Sequence, residues 1–122
     1  MRLINQPNNY GCVLASIAMV SGKTYTEIEY IYGKPAIGEG FNFTSASYVL
    51  NYLGYYTRFV SRINHKKQWP INTNLAIWSI NINGQNHAVV QNKDKIYDPA
   101  ENEIKTINEY PEPNDMLCII AL

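Results

Sequence analysis

The first cysteine of this sequence, Cys12, has the chemistry of a nucleophile and opens a run of apolar residues. The spacing over 13–20 predicts a helix that is buried on nearly all sides and ends at Ser21-Gly22. Because the start of a helix carries a partial positive charge, it favours the thiolate, which is the reactive form of cysteine. A single cysteine more often fills space in a core. The apolar segment around Cys118 predicts that role for the second cysteine.

His87 could serve such a nucleophile as a base, and Asp98 could orient the base. His87 lies on a predicted strand, and Asp98 ends a short strand predicted over 96–98. If the turn between these strands has an even number of residues, Asp98 shares a face with His87, opposite residue 87 or 89. A carboxylate there fixes the imidazole and completes a set of nucleophile, base and orienter with Cys12. Each residue alone also has a structural reading, His87 as a strand residue and Asp98 as the start of a turn.

An acyl intermediate also needs hydrogen-bond donors for a negatively charged oxygen. Gln6 lies six residues before Cys12, and its side-chain amide could supply one donor. The backbone N–H of Cys12, at the start of the predicted helix, could supply the other. Gln6, Cys12, His87 and Asp98 together therefore predict attack of a thiolate on a carbonyl carbon.

Helices must position the cysteine, and strands must position the histidine and the aspartate. Two further helices are predicted, one over 24–32 capped by one of its two threonines, and one over 45–53 capped by Thr44. Asn83-Gly84 predicts a tight hairpin turn. The strands are predicted at 56–60, 75–82, 87–92, 96–98 and 116–122. Helices followed by antiparallel strands are typical of an α+β domain.

Length and composition exclude several classes of function. The 122 residues predict one domain, 1–122, with a core of its own. Ten basic residues balance ten acidic ones, which argues against a general nucleic-acid binder. The longest apolar run is too short for a membrane span, and two cysteines without a leader predict reduced thiols in the cytoplasm. The cysteines and histidines are too dispersed for a zinc pattern, and no phosphate-binding motif occurs, so no metal or cofactor is expected.

The order glutamine, cysteine, histidine, aspartate is that of the papain-like cysteine peptidases. Three stretches resemble the glutamine–cysteine helix, the histidine strand and the aspartate–proline segment of the C39 and C39-like peptidases: Gln6–Val20, Asn86–Val90 and Ile96–Ala100. A fourth stretch, Thr44–Tyr55, is similar to the helix before that family's sheet, so the resemblance covers nearly the whole chain. It implies a papain-like α+β fold in which N-terminal helices pack on a C-terminal antiparallel sheet.

The resemblance also implies a role for each candidate residue. The family roles carry over as Cys12 nucleophile, His87 general base and acid, Asp98 orienter and Gln6 oxyanion donor. The expected reaction is cleavage of a peptide or isopeptide-like amide through a thioester, with a peptide or protein as partner. One departure concerns the residues around the cysteine. The family usually has Asp-Cys-Gly, whereas here Gly11 precedes the cysteine and Val13 follows it.

Two other functions remain open at this point. The same residues could transfer the acyl group to an amine, as a transglutaminase or another acyltransferase does. Alternatively, the chain could be a non-catalytic binding module on this fold, such as a phage-type effector. Substrate choice would lie in the loops predicted around 34–43 and 63–73, whose sequences carry no readable code.

Overall fold

The computed structural model describes residues 1–8, 11–32, 43–61 and 74–121. Within these ranges, three helices come first: α1 (Cys12–Ser21), α2 (Tyr25–Tyr32) and α3 (Phe43–Tyr52). One antiparallel sheet follows, made of β1 (Tyr55–Ser61), β2 (Leu75–Ile82), β3 (Gln85–Asn92), β4 (Lys95–Tyr97), β5 (Lys105–Thr106) and β6 (Asp115–Ala121). A short 3-10 turn, Ile107–Glu109, comes directly after β5. The α+β order expected from the sequence is confirmed.

Predicted capping residues mark the end of α1 and the start of α2. α1 ends at Gly22, which has a positive φ of 73°, a conformation that favours glycine. Thr24 caps α2, because its hydroxyl accepts the Glu27 N–H while the Glu27 carboxylate accepts the Thr24 N–H, both at 3.1 Å. These caps hold α1 and α2 as two short, closely linked helices.

The third helix differs from the prediction at its start. It begins at Phe43, so Thr44 lies inside the first turn and is not the N-cap. The physical reason is packing, since Phe43 is buried and meets Phe59 of β1 edge to face, with ring centroids 5.8 Å apart. At the other end, Gly54 has a φ of 96° and turns the chain into β1.

The strands lie in the order β1-β6-β2-β3-β4-β5, so the last strand of the chain sits between the first two. β2 and β3 form the predicted hairpin, in which Asn83 and Gly84 both have positive φ, 52° and 83°. This is the conformation that makes Asn-Gly a favoured hairpin turn. The sequence did not predict β5, because a strand of two residues has no alternating pattern.

Apolar side chains cover both faces of the sheet. Helices cover one face, over a cluster that includes Leu14, Ile17, Ile28, Leu50, Ile77 and Val90. The other face carries a second cluster of Val60, Ala76, Trp78, Ile80, Val89, Ile96, Met116 and Cys118, against which Ile107 and Tyr110 pack. The core role predicted for Cys118 is confirmed, since it is 8% exposed.

The two predicted loops, around 34–43 and 63–73, lie outside the described residues except for Phe43. The proposal that loops around 34–43 and 63–73 choose the substrate therefore stays a prediction. Among the helices that the structure describes, none combines the length and the apolar character needed to cross a membrane.

Candidate active site

Helix α1 brings Cys12 against the sheet at the level of His87. Every residue of α1 from Cys12 to Val20 is buried, so the helix is fixed on all sides, as its apolar pattern predicts. The side chain of Cys12 lies close enough to His87 to act on the pKa of the imidazole. Gly11 is the N-cap residue of α1 and has no side chain that could accept a hydrogen bond from the first turn. The first backbone N–H groups of α1, including that of Cys12, have no acceptor within the helix.

The hairpin of β3 and β4 brings Asp98 to His87. The turn between the strands has two residues, because Asn92 pairs with Lys95. Continuing that register places Asp98 opposite Val89, diagonal to His87 on the same face. His87 Nε2 and Asp98 Oδ1 are 2.6 Å apart. The even-numbered turn that the pairing requires is therefore present.

Asp98 is held by donors from three parts of the chain. Its Oδ1 binds His87 and also accepts the Ala100 N–H at 2.9 Å, while its Oδ2 accepts the Tyr110 hydroxyl at 2.8 Å. The residue is 3% exposed. A buried carboxylate with this many donors stays ionised in one orientation. Tyr110 was not found from the sequence, because it lies twelve residues from Asp98 and belongs to no motif.

The charges of the site reinforce one another. Burial alone lowers the pKa of His87, but hydrogen bonds to Asp98 and Cys12, together with their charges, outweigh it and raise the pKa to about 9. Burial works to raise the pKa of Asp98, but the hydrogen bonds from His87 and the Ala100 N–H, with a smaller effect of Tyr110, hold it below its ordinary value. At neutral pH the pair is therefore an imidazolium beside a carboxylate.

The two nitrogens of His87 face different partners. Nε2 is engaged by Asp98, which leaves Nδ1 as the nitrogen that can exchange a proton with the Cys12 thiol. An imidazolium beside a cysteine at the start of a helix stabilises a thiolate. The three side chains thus form one continuous line of contacts from sulfur to carboxylate, which can move a proton between Cys12 and a reacting group.

Gln6 is hydrogen-bonded both to a residue before Cys12 and to the residue after Asp98. Its Nε2 donates to the Asn8 carbonyl at 2.8 Å, the same carbonyl that accepts the Gly11 N–H at 3.3 Å. Its backbone N–H donates to the Pro99 carbonyl at 2.9 Å. The Gln6 amide is thus tied into the turn that leads to Cys12. One of its two N–H bonds is used by Asn8, and among the described residues the other has no acceptor.

Steric crowding explains why glycine occupies the position before Cys12. A Cβ on Gly11 would lie 2.7 Å from the Tyr25 hydroxyl and 3.2 Å from Cδ of Pro7. Burial, with the negative charges of Glu29 and Cys12, raises the pKa of Tyr25, so its hydroxyl stays neutral. Tyr25 therefore fills the space beside the cysteine that a side chain at position 11 would need. This accounts for a glycine at position 11, where the family usually has an aspartate.

Two solved structures with this architecture are peptidase domains. The peptidase domain of Streptococcus ComA, a bi-functional ABC transporter involved in a quorum-sensing pathway, matches 99% of this chain over 98% of its own length, with a TM-score of 0.68 and 12% sequence identity. A double glycine motif protease from an AMS/PCAT transporter, solved in complex with the leader peptide, matches 99% of this chain over 91% of its own length, with a TM-score of 0.70 and 19% identity. The chain has the fold of these peptidase domains.

The fold implied by the resemblance to C39 peptidases is therefore confirmed. The likeness is one of structure and not of sequence, since no protein-family model and no curated protein sequence matches the chain. At identities this low, the comparison carries the architecture alone. The chemistry must be argued from the side chains of this chain.

The two cysteines offer a matched test of reactivity, because they are 7% and 8% exposed. We expect iodoacetamide to alkylate Cys12 of the folded protein about ten times faster than Cys118, since Cys12 has a helix start and His87 beside it whereas Cys118 lies in an apolar cluster. The measurement is the time course of peptide mass change at each cysteine. The His87→Ala variant is the control and should remove most of the difference. Equal rates in the native chain would contradict activation of Cys12.

Proposed function

We propose that this chain is a cysteine peptidase that hydrolyses a peptide or isopeptide-like amide through a thioester. The observation that carries the proposal is the imidazole of His87, which contacts both the Cys12 side chain and the Asp98 carboxylate. A nucleophile, a base and an orienting group in contact are the arrangement that covalent acyl transfer needs. The similarity of the fold to peptidase domains agrees with this reading.

The reaction would proceed in two halves. Cys12 Sγ attacks the carbonyl carbon, its proton having passed to His87, and the imidazolium then gives that proton to the leaving nitrogen as the C–N bond breaks. Water next attacks the thioester, with His87 as the base, and releases a carboxylic acid and the Cys12 thiol. Asp98 stays ionised throughout and holds the ring through Nε2.

The negative oxygen of each tetrahedral intermediate would be bound by two donors. One is the backbone N–H of Cys12 at the start of α1. The other is the second N–H of the Gln6 amide, whose first N–H is fixed by the Asn8 carbonyl. That fixed contact orients the amide before substrate arrives, which is what makes such a donor effective.

The substrate class we propose is a peptide or protein. The double glycine motif protease with this fold was solved with a leader peptide, so a peptide with two glycines before the scissile bond is the first to test. A reducing compartment such as the cytoplasm suits the proposal, because the Cys12 thiol must stay reduced to react.

The direct experiment combines peptide cleavage with trapping of the acyl-enzyme. The purified chain is incubated with a peptide pool that contains double-glycine sequences and their alanine-substituted counterparts, and the products are identified by mass spectrometry. A p-nitrophenyl acetate burst, with acetyl retained on Cys12, reports the thioester without a known substrate. Amine adducts that replace hydrolysis products on addition of a primary amine would indicate an acyltransferase. The absence of both cleavage and acylation would indicate the non-catalytic binding module.

Removing the Gln6 amide should slow the reaction without unfolding the chain. We expect Gln6→Ala to lower kcat for amide hydrolysis by roughly 10²–10³-fold, the usual effect of deleting one oxyanion donor. Gln85→Ala is the matched control, since Gln85 is an exposed glutamine at the start of β3, and its turnover should not change. An unchanged rate in Gln6→Ala, with an unchanged thermal midpoint, would mean that another group binds the oxyanion.

A further inference from the structure

We propose that Tyr110 is a positioning residue of this site, which fixes the Asp98 carboxylate so that one chosen oxygen faces His87. The proposal rests on the function proposed above, but its central measurement does not require turnover. Tyr110 matches none of the stretches that resemble a known family, and it comes from a part of the chain where the sequence predicts no element. Tyr110 is assigned to the site only by its position in the structure.

The two oxygens of Asp98 have different partners. Oδ1 accepts from His87 at 2.6 Å and from the Ala100 N–H at 2.9 Å. Oδ2 accepts from the Tyr110 hydroxyl at 2.8 Å. A carboxylate bound only through Oδ1 could rotate about its Cβ–Cγ bond, since this torsion is soft. The donor on Oδ2 fixes the plane of the carboxylate and so fixes the direction from which Oδ1 meets the imidazole.

The Tyr110 side chain is itself held in place. The 3-10 turn before it is closed by Glu109, whose Oε2 accepts the Thr106 N–H at 2.8 Å and the Thr106 hydroxyl at 3.2 Å. The Ile107 N–H donates to the Asp94 carbonyl at 3.1 Å, in the turn between β3 and β4. The ring of Tyr110 packs on the apolar cluster that lies on the face of the sheet away from the helices. The turn that carries Tyr110 is therefore bonded to the hairpin that carries His87 and Asp98.

The hydroxyl of Tyr110 acts as a donor throughout the pH range of catalysis. Burial, the hydrogen bond to Asp98 and the negative charges of Asp98, Glu101 and Glu109 raise the pKa of Tyr110 above its ordinary value. The proton therefore stays on the tyrosine and points at the carboxylate. Through this contact Tyr110 helps to keep the pKa of Asp98 low.

The test is the Tyr110→Phe variant of the full chain, with Tyr97→Phe as its matched control. Tyr97 is a half-buried tyrosine directly before Asp98, packed on the helical side of the sheet. In Tyr110→Phe we expect the pKa of Asp98, followed through its carboxyl ¹³C resonance without substrate, to rise toward its ordinary value. We also expect kcat to fall about tenfold with KM unchanged, the scale of losing one hydrogen bond to a charged group. Tyr97→Phe should change neither quantity.

The two measurements separate this proposal from the proposed function. An Asp98 titration that is the same in Tyr110→Phe and in the native chain overturns the positioning role, whatever the activity. If the native chain shows no turnover but the pKa of Asp98 rises in Tyr110→Phe, the contact is supported and only the peptidase function is overturned. A lower kcat together with a lower thermal midpoint, but with no change in the pKa of Asp98, would mean that Tyr110 contributes only to packing. That result also overturns the proposal.

Discussion

The Cys12→Ala variant should lose amide hydrolysis by about 10⁴-fold or more, because it removes the sulfur that forms the thioester in the proposed mechanism. The substitution deletes one buried sulfur at the edge of the core, so the fold should survive. Turnover is measured on whichever peptide the native chain cleaves, and the p-nitrophenyl acetate burst is measured beside it. Both should disappear together.

The matched control for this variant is Cys118→Ala, which removes a thiol of nearly equal exposure from the opposite face of the sheet. Its turnover should stay within roughly twofold of the native chain, since the change costs only packing. The Cys12→Ala protein should still bind its substrate and so trap it for identification. Full biological function in a Cys12→Ala chain would instead favour the non-catalytic binding module.

The contact between His87 and Asp98 could be predicted from the sequence because strand pairing follows simple rules. The alternation of side chains and an even-numbered turn are enough to place residue 98 on the face of residue 87. The two-residue turn at Lys93-Asp94 meets this condition. The helix start at Cys12 was equally accessible, since an apolar run with a glycine at its end predicts both its position and its burial.

The parts of the site that could not be predicted depend on tertiary contacts of single residues. Tyr110 reaches Asp98 from a segment with no periodic pattern, held by a 3-10 turn that depends on a single pair, Thr106 and Glu109. The space beside Gly11 is taken by Tyr25 from the next helix, and nothing in the sequence links these two positions. The start of α3 was predicted too late for the same reason, because the packing of Phe43 outweighed the capping preference of Thr44.

The imidazole of His87 is positioned by contacts from outside its own strand: Asp98 follows β4, and Cys12 begins α1. The hairpin fixes the 2.6 Å contact of His87 with Asp98, and α1 supplies the second partner of the imidazole. Both elements pack in the buried core. Such an arrangement would favour the proposed reaction, because dipoles that are already in place do not have to rearrange first.

Loss of His87 should be more damaging than loss of the Asp98 charge. We expect His87→Ala to lower kcat/KM by about 10³–10⁴-fold, because no group then moves the proton, and Asp98→Asn to lower it by about 10²-fold, because the ring is held without its charge. Asparagine is preferred to alanine at position 98, since Asp98 is buried with three donors that would otherwise lose their acceptor. Neither variant should unfold the chain, as judged by its thermal midpoint.

The pH profile distinguishes the two roles. In the native chain kcat/KM should fall as the pH rises through about 9, where His87 loses the proton that the leaving nitrogen needs. The charge and hydrogen bond of Asp98 help to raise that pKa, so in Asp98→Asn the alkaline limb should move to lower pH while its shape is kept. A His87→Ala chain should show no such limb in its residual activity. If Asp98→Asn keeps the native alkaline limb, Asp98 does not act through the imidazole. If the variant instead unfolds, as judged by its thermal midpoint, Asp98 stabilises the turn at Pro99 and another group must orient His87.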